Sequence, residues 1–294
     1  MIMDQWIDLH IHTVFSDGLL TPAQVVEQAK RTGLKAVGIT DHDSLAGLSE
    51  AKKAGASHGV EVVPGLELST FHEDKDIHIL GYFIDRNDEH LLDYLQRFRE
   101  ARYDRAIKMV SNLRDQGVNI SVQEIEERAE GINIGRPHFA EVLMEKGYVE
   151  TFQEAFYRYI GYGSKAYVDK YKIKPEKAIR LIAESQGLSF LAHAGHQIAD
   201  TLIVQLIKAG LDGIEIIHPN LSDSRTRHLQ QIARQHRLLV SGGSDCHGGR
   251  NGSCTIGKHR LPYAILEEMK QVLRERTGGE YEYTRISKPE ARGR

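Results

Sequence analysis

The feature that most constrains the fold is a series of short apolar segments that alternate with helix-forming segments. Seven of them are rich in Val, Ile and Leu and are bounded by Gly or polar residues, as buried strands of a parallel sheet should be. The predicted strands span residues 6–12, 35–40, 60–69, 77–84, 188–194, 213–217 and 238–242. This alternation predicts an α/β domain built on parallel strands.

Helix signals lie between many of these strands. Thr21 is followed by Pro22 and Gln24, which together predict an N-cap, a first helical proline and a capping box. That helix should end near Gly33. Further helices are predicted at 44–58, 175–186 and 262–277. Asp200 is the predicted N-cap of a helix at 201–209, and Ser222 is the predicted N-cap of a helix that ends near residue 236.

The alternation of strands and helices stops between Asp85 and Lys174. This stretch has helical periodicity at 89–116, 122–129, 137–146 and 152–159, and it has no convincing strand. We therefore predict that residues 1–84 and 175–280 form the α/β domain and that residues 85–174 form a helical insertion. Residues 281–294, which end in a basic RISKPEARGR, are predicted to be a flexible tail.

Composition excludes several classes of protein. With 294 residues, 40% of them hydrophobic and 27% charged, the chain is neither disordered nor fibrous. The net charge of −3 excludes a globally basic nucleic-acid coat. Two cysteines, Cys246 and Cys254, cannot make a disulfide framework. No apolar run approaches the roughly 20 residues of a membrane span, and the N-terminus lacks the features of a signal peptide, so we expect a soluble cytoplasmic protein.

The chain contains 15 histidines, and histidine is the commonest metal ligand. On a strand, Asp8, His10 and His12 would point to the same face. Two imidazoles separated by one residue can bind a single metal ion, and Asp8 could hydrogen-bond the other nitrogen of one ring. An isolated pair of this kind is equally compatible with a polar edge strand.

Other histidines and acids follow or interrupt the remaining strands: Asp17, His42, Glu67, His78, His193, Glu215, Asp245 and His247. Asp17 precedes Gly18, as a turn residue would, and His78 could be an ordinary core histidine. Glu67 and Glu215 are harder to explain, because a carboxylate in an apolar strand is costly to bury unless it is paired or bound to metal. His78 is also unusual in position, since it lies near the start of its strand rather than at the carboxyl end.

The block from Thr40 to Asp43 allows two interpretations. Asp43 or Ser44 could be the N-cap of the following helix, which leaves His42 without a structural reason. A chance distribution would put His, Asp and Glu mostly on helix surfaces rather than at strand ends. The mixture of imidazole and carboxylate suits Zn, Mn or Fe, and so many donors require more than one ion.

In this order the motifs resemble those of the PHP (polymerase and histidinol phosphatase) superfamily. The resemblance implies a distorted (β/α)7 barrel of PHP type that carries a helical insertion. It also implies two or three divalent ions, with Mn expected first and Zn, Fe or Mg as alternatives. By this resemblance one ion would be held by His10, His12, Glu67 and Asp245, a second by Glu67, His78 and His193, and a third by Asp17, His42 and His247.

Within the superfamily the chain looks most like a stand-alone branch that includes a 3′,5′-nucleoside bisphosphate phosphatase and a 5′→3′ exoribonuclease. The segments Phe15–Gly18 and Gly135–Ala140 support this placement. Two positions depart from the branch: Ala194 replaces a frequent Pro, and 161–165 is not Gly-Lys-rich. The second departure concerns Lys165, a candidate phosphate contact.

The expected chemistry is phosphoryl transfer to water, in which clustered metals activate the water and stabilise the transition-state oxygens. His218 is a candidate acid for the leaving group, although it could equally be a loop histidine beside Pro219. A second phosphate would need fixed cations, for which arginine is best suited. The insertion offers Arg99, Arg102 and Arg105 on one helix, together with Arg136, His138 and Lys165. The helical arginines could instead form a solvated face paired with acids.

We therefore expect a metal-dependent phosphoric ester hydrolase. Its substrate would be the 3′-phosphate of a pAp-like nucleotide or short RNA cleaved from the 5′ end, bound by the insertion. No membrane and no obligate protein partner are implied. The alternative is a small-molecule phosphomonoesterase such as a histidinol-phosphate phosphatase. A non-catalytic metal-binding domain is a third hypothesis, and the complete ligand set argues against it.

Overall fold

The structure is a computed structural model that describes residues 5–73, 75–129, 133–169, 171, 173–249 and 253–278. The predicted tail at 281–294 lies outside these residues. The strands are β1 (Trp6–Asp8), β2 (Leu34–Ile39), β3 (Glu61–His72), β4 (Lys75–Tyr82), β5 (Leu188–Leu191), β6 (Gly213–Ile217), β7 (Leu239–Gly242) and β8 (Leu261–Pro262). All seven predicted strands are present, and β8 is a short addition.

The helices are α1 (Pro22–Arg31), α2 (Leu48–His58), α3 (Glu89–Arg114), α4 (Val122–Arg128), α5 (Arg136–Glu145), α6 (Phe152–Ala155), α7 (Pro175–Glu184), α8 (Asp200–Lys208), α9 (Asp223–His236) and α10 (Tyr263–Thr277). A short π-helix, Phe156–Ile160, continues α6. Within the described ranges, no helix is both long and apolar enough to cross a membrane.

The eight strands form one sheet in the order β7-β6-β5-β4-β3-β2-β1-β8, and this sheet almost closes into a barrel. Beyond β7 the chain runs alongside the segment that follows β1. The Leu9 N–H donates to the Gly242 carbonyl at 3.1 Å, and the Asp245 N–H donates to the His10 carbonyl at 2.8 Å. The expected distorted α/β barrel is therefore confirmed.

The strand directions depart from a wholly parallel pattern at β4 and at the short β8, which is antiparallel to β1. β1, β2 and β3 are parallel, as are β5, β6 and β7, whereas β4 is antiparallel to both β3 and β5. The chain passes from His72 to Lys75 without a helix, and a connection this short permits only an antiparallel pair. The start of β4 therefore lies at the same edge of the barrel as the carboxyl ends of its neighbours, which explains the unusual position of His78.

The helix predictions are correct in place and partly wrong at the boundaries. Thr21 and Gln24 form the predicted capping box of α1. α2 begins later than predicted, at Leu48, and neither Asp43 nor Ser44 caps it, because Asp43 hydrogen-bonds Ser69 instead. Asp200 is the first residue of α8 rather than its N-cap.

Two apolar cores lie on either side of α3. The first half of this helix, including Leu91 and Phe98, packs against α7 and the strands of the barrel. Its second half, including Met109, packs with α4, α5 and α6 in a separate cluster. The long helix thus fixes the insertion over one end of the barrel, because both cores depend on it.

Candidate metal centre

All nine predicted metal ligands lie in one cluster at the edge where most strands end. His10 and His12 follow β1, His42 follows β2, Glu67 lies within β3 and His78 lies near the start of β4. The remaining members follow β5 or β7, or lie in the loop after β1, and they are His193, Asp245, His247 and Asp17. Among the described residues, eight of the nine, all except His193, fall into overlapping groups whose donor atoms are compact enough for one ion, and His218 joins His10 and Asp245 in one of these groups.

The first group contains one donor atom from each of four side chains. His12 Nε2 lies 3.1 Å from His10 Nε2, 3.2 Å from Glu67 Oε2 and 3.1 Å from Asp245 Oδ1. His10 Nε2 lies 3.4 Å from each of the same two carboxylate oxygens. Four ligands at bond lengths of 2.0–2.1 Å around a tetrahedral ion are spaced by about 3.3 Å. His10, His12 and Glu67 therefore offer a compact set of donors for one ion, and Asp245 Oδ1 lies 3.4 Å and 3.1 Å from the two histidine nitrogens.

The second group shares Glu67 with the first. Glu67 Oε1 lies 2.9 Å from His78 Nδ1 and 2.9 Å from His193 Nε2, and these two nitrogens are 3.3 Å apart. Because Oε2 of the same carboxylate faces the first group, Glu67 is placed to bridge two ions. Its side chain is 1% exposed, so it is shielded from solvent.

The third group lies on the outer side of His12. Asp17 Oδ1 is 3.2 Å from His247 Nε2 and 3.8 Å from His12 Nδ1, and His42 completes the group. His42 Nδ1 is buried and, in the part of the chain that the structure describes, makes no hydrogen bond, although Glu67 Oε2 lies 3.2 Å from it. A buried imidazole nitrogen that makes no hydrogen bond can bind a cation instead, so these residues also fit an ion.

The surroundings favour ionised carboxylates. Burial would raise the pKa of Glu67 and of Asp245, but the neighbouring histidines hold both values well below the usual range. Burial would lower the pKa of His12, but hydrogen bonds to Asp245 and Glu67 raise it to about 10. For His42 burial dominates and lowers the pKa well below its usual value. Ionised carboxylates beside imidazoles are the state that binds divalent ions.

Glu215 orients the ligands from behind. Its fully buried carboxylate accepts a hydrogen bond from His10 Nδ1 at 3.0 Å and another from the His193 backbone N–H at 2.7 Å. The first bond keeps the proton of His10 on Nδ1 and leaves Nε2 free for a metal. The prediction that Asp8 holds an imidazole is wrong, because Asp8 accepts backbone N–H groups of Ser244 and Gly257 at the barrel closure.

His218, the predicted acid, lies behind Asp245. Its Nε2 is 3.1 Å from Asp245 Oδ2, and its Nδ1 accepts the Asn220 N–H at 3.1 Å. With Nδ1 accepting a hydrogen bond, Nε2 is the nitrogen that faces Asp245, and the ring is almost completely buried. This arrangement favours holding Asp245 in place over protonating a leaving group.

A cavity of about 250 Å³ opens beside the cluster and extends to the insertion. The cluster contributes Asp17, His42 and His78 to its wall. Arg102 and Arg105 of α3 also line it, together with Arg136, Asn133 and Phe156, and Ser16, Ser69, Asp76, Gly135 and Pro137 complete the lining. Three arginines therefore share one cavity with members of the candidate metal centre.

Three of the six candidate substrate-binding residues line this cavity, namely Arg102, Arg105 and Arg136. Arg99 and Lys165 are exposed elsewhere. His138 is buried, and its Nδ1 accepts the Gly135 N–H at the start of α5, so it shapes the helix instead. Asn133, Ser69 and Phe156 were missed, because nothing in their local sequence marks them as cavity residues.

The two arginines of α3 that line the cavity are held by fixed partners. Arg102 Nη2 donates to Asp43 Oδ2 at 2.9 Å, and Arg105 Nε donates to the Val168 carbonyl at 2.7 Å. Among the described residues, the buried Arg102 Nε and Arg105 Nη2 have no hydrogen-bond partner. Arg136 lies 5.2 Å from the centre of the Phe156 ring. Burial lowers the pKa of Arg105 to about 10, so it still carries its charge at neutral pH.

Relatives with named activities match most of the chain. A 5′-3′ exoribonuclease, Rnm, of Escherichia coli is 32% identical over 82% of this chain and 84% of its own length. A 3′,5′-nucleoside bisphosphate phosphatase of Chromobacterium violaceum is 32% identical over 85% of this chain and 90% of its own length. A phosphoribosyl 1,2-cyclic phosphate 1,2-diphosphodiesterase of Eggerthella lenta is 31% identical over 82% of this chain and 94% of its own length.

The fold leads to the same group of proteins. A solved structure from Bifidobacterium adolescentis, described as a metal-dependent phosphoesterase, superposes with a TM-score of 0.83 at 34% identity and covers 90% of this chain and 94% of its own. The family model described as the PHP domain matches residues 8–199, a range that holds seven of the nine clustered ligands. Because the sequence family, the fold and the metal-ligand cluster agree, this chain belongs to the PHP domain family.

Proposed function

We propose that this metal-dependent phosphoester hydrolase acts on a substrate with two phosphates, either a 3′,5′-nucleoside bisphosphate or the 5′-phosphorylated end of a short RNA. The observation that carries the proposal is the wall of Arg102, Arg105 and Arg136 that shares one cavity with the metal centre. A single phosphate would need only the metals. The arginine wall provides a second anion site in the same cavity.

The first ion would be held by His10, His12, Glu67 and Asp245, and the donors of the other two groups would hold a second and a third. We expect Mn, because imidazole and carboxylate donors without thiolate suit Mn, Zn or Fe, with Mg as a further alternative. Bound ions of this kind polarise phosphoryl oxygens and make water nucleophilic at neutral pH. Glu67 orients both inner groups, since each of its oxygens faces a different one.

The arginine wall would bind and orient the second phosphate. A guanidinium group presents a rigid fork of donors that matches phosphate oxygens. Arg105 is 6% exposed and its Nε donates to the Val168 carbonyl, so its guanidinium would be fixed before substrate arrives. Arg102 is likewise fixed by Asp43. Such preorganisation increases the rate because the reacting group is already positioned against the metal centre.

The relatives support a nucleotide substrate without selecting one. The Escherichia coli and Chromobacterium violaceum proteins are named for RNA and for nucleoside bisphosphates, and the Eggerthella lenta protein is named for a cyclic sugar phosphate at almost the same identity. Identity alone therefore does not choose among these substrates. The arginine wall favours a substrate that carries a second phosphate, a property that the phosphoribosyl cyclic phosphate shares with the other two, so the assay makes the choice.

The test is phosphate release from pAp, AMP and histidinol phosphate, with Mn added and with metal removed by chelation. We expect turnover that needs metal and is selective for pAp. Release of mononucleotides from 5′-phosphorylated oligoribonucleotides would extend the substrate range to RNA. Equal turnover of all three small substrates would contradict the role of the second phosphate. No turnover of any phosphoester would contradict the proposal as a whole.

The variant Arg105→Ala tests the arginine wall directly. Hydrogen bonds to charged groups contribute roughly 1.5–3 kcal/mol, so we expect KM for pAp to rise about 10- to 100-fold. Arg99→Ala is the matched control, because Arg99 lies on the same helix, is exposed and does not line the cavity. Arg136→Ala serves as a second test variant if Arg105→Ala unfolds. Equal KM values for both test variants and the control would contradict the assignment.

A further inference from the structure

Two free thiols lie side by side next to the metal centre, and the mechanism uses neither. Cys246 and Cys254 are the two cysteines of the chain, and their sulfur atoms are 3.6 Å apart. Cys246 is buried and Cys254 is partly exposed. The pair is therefore accessible to a small oxidant from the side of Cys254.

The backbone on both sides of Cys246 carries metal-centre residues. Cys246 stands between Asp245 of the first group and His247 of the third. It also pairs with Ile11 at the barrel closure, and the His12 N–H donates to its carbonyl at 3.0 Å. Two further backbone N–H groups, of Gly248 and Thr255, point at its sulfur. Any displacement of Cys246 is thus transmitted to residues of two ligand groups.

We propose that Cys246 and Cys254 are an oxidative modification site at which a hydroperoxide forms an intramolecular disulfide, and that this disulfide weakens metal binding through Asp245 and His247. This inference does not depend on which phosphoester the protein hydrolyses. The class of oxidant is a hydroperoxide, and the class of reductant that reverses the change is a small dithiol.

The reaction is balanced in two steps. The Cys254 sulfur attacks the peroxide, so an S–O bond forms as the O–O bond breaks, and the departing oxygen takes the thiol proton as water. The Cys246 sulfur then attacks the oxidised Cys254 sulfur, the S–S bond forms, the S–O bond breaks, and the hydroxyl leaves as a second water with the Cys246 proton. Two electrons pass from the sulfurs to the peroxide.

The geometry explains why the disulfide should disturb the metal centre. A disulfide bond is about 2.05 Å long, so the two sulfurs must approach each other by roughly 1.5 Å. Because Cys246 is held in the barrel closure, this movement pulls on a segment whose two neighbours bind metal. Disturbing the groups that support metal ligands typically lowers affinity by roughly 10- to 100-fold.

The experiment treats the metal-loaded full chain with hydrogen peroxide, removes small molecules, and measures thiols, intact mass and bound metal. We expect loss of both thiols, loss of two hydrogen atoms in mass, a peptide linking Cys246 to Cys254, and a roughly 10-fold or greater fall in metal affinity. Dithiothreitol should restore both thiols, the original mass and the original metal affinity. Cys254→Ser is the control, because it cannot form the disulfide and should retain its metal under peroxide, and Cys254→Ala replaces it if it does not fold.

Each alternative result contradicts part of the proposal. Thiols that survive peroxide, or that end as sulfinic acids without a cross-link, would show that the two cysteines are not a redox pair. A complete disulfide with unchanged metal affinity would show that the pair is not coupled to Asp245 and His247. Equal metal loss in wild type and Cys254→Ser would assign the effect to direct oxidation of other residues.

Discussion

Three residues at the metal centre adopt backbone conformations that side chains other than glycine seldom adopt. The φ angles of Asp43, His193 and Asp245 are 50°, 29° and 48°. Each such residue costs of order 1–3 kcal/mol and persists only where its surroundings hold it. Asp245 is held by the His10 carbonyl and His193 by Glu215. The histidine and acid pattern identified all nine clustered residues, but it could not show this backbone strain or the role of Glu215, because both arise from contacts between segments distant in sequence.

The contacts of Glu215 lead to a sharp prediction for Glu215→Gln. One carboxylate oxygen accepts a hydrogen bond from His10 Nδ1 and the other accepts one from the His193 N–H, whereas an amide has only one oxygen. If the amide nitrogen faces His10, the ring must move its proton to Nε2 and cannot bind metal there. If it faces His193, two N–H groups meet. We expect metal affinity to fall roughly 10- to 100-fold, measured by competition with a chelating dye.

The control for this prediction is the same substitution at Glu61, whose carboxylate accepts hydrogen bonds from Tyr263 and Lys270 away from the metal centre. Glu61→Gln should bind metal as the wild type does. A Glu215→Gln protein that folds and binds metal with wild-type affinity would show that the carboxylate does not set the tautomer of His10.

At the scale of elements, the position of each strand could be predicted but not its direction. A run of apolar residues reads the same whether its neighbour is parallel or antiparallel. The direction of β4 follows from the short connection after His72, which was predicted as a longer gap because the strand ends were placed several residues inside the true ones. His78 looked misplaced because β4 was expected to run parallel to its neighbours. The helices were predicted more reliably, since caps such as Thr21 act locally.

The closure of the barrel gives a prediction at this scale, for Gly243→Ala. A Cβ atom on Gly243 would lie 2.4 Å from the His10 backbone nitrogen and 2.8 Å from Asp8 Oδ1. Because backbone cannot yield as a flexible side chain can, β1 and the segment after β7 would have to separate. We expect a loss of about 3 kcal/mol or more in the free energy of unfolding, measured by urea denaturation, together with weaker metal binding.

Gly33→Ala is a suitable comparison, because Gly33 has a φ of 73° and a Cβ there would meet nothing within 4 Å. Its cost should be confined to backbone conformation, about 1 kcal/mol, and metal binding should be unchanged. Equal destabilisation by the two substitutions would show that the close approach at Gly243 is not what closes the barrel.

At the scale of the whole molecule, the metal centre joins parts of the chain that are far apart in sequence. His10 near the N-terminus faces Asp245 beyond β7, and Glu67 of β3 contacts both His78 of β4 and His193 after β5. The cavity has the same character, since Arg102 and Arg136 come from different helices of the insertion. Sequence spacing could suggest that these arginines bind substrate, but only the fold shows that they line the cavity whereas Arg99 is exposed outside it.

Because the ligands come from so many strands, bound metal should stabilise the folded molecule as a whole. The unfolded chain cannot assemble the cluster, so metal binding free energy is added to folding free energy. At a metal concentration 100 times the dissociation constant this amounts to about 2.7 kcal/mol for one site. We expect chelation to lower the thermal unfolding midpoint and added Mn to restore it in a concentration-dependent way, measured by scanning calorimetry. In Glu67→Gln, which loses a charged bridge between two groups, Mn should raise the midpoint much less. A thermal unfolding midpoint that chelation leaves unchanged in the wild type, or an equal response to Mn in both proteins, would show that bound ions do not stabilise the cluster.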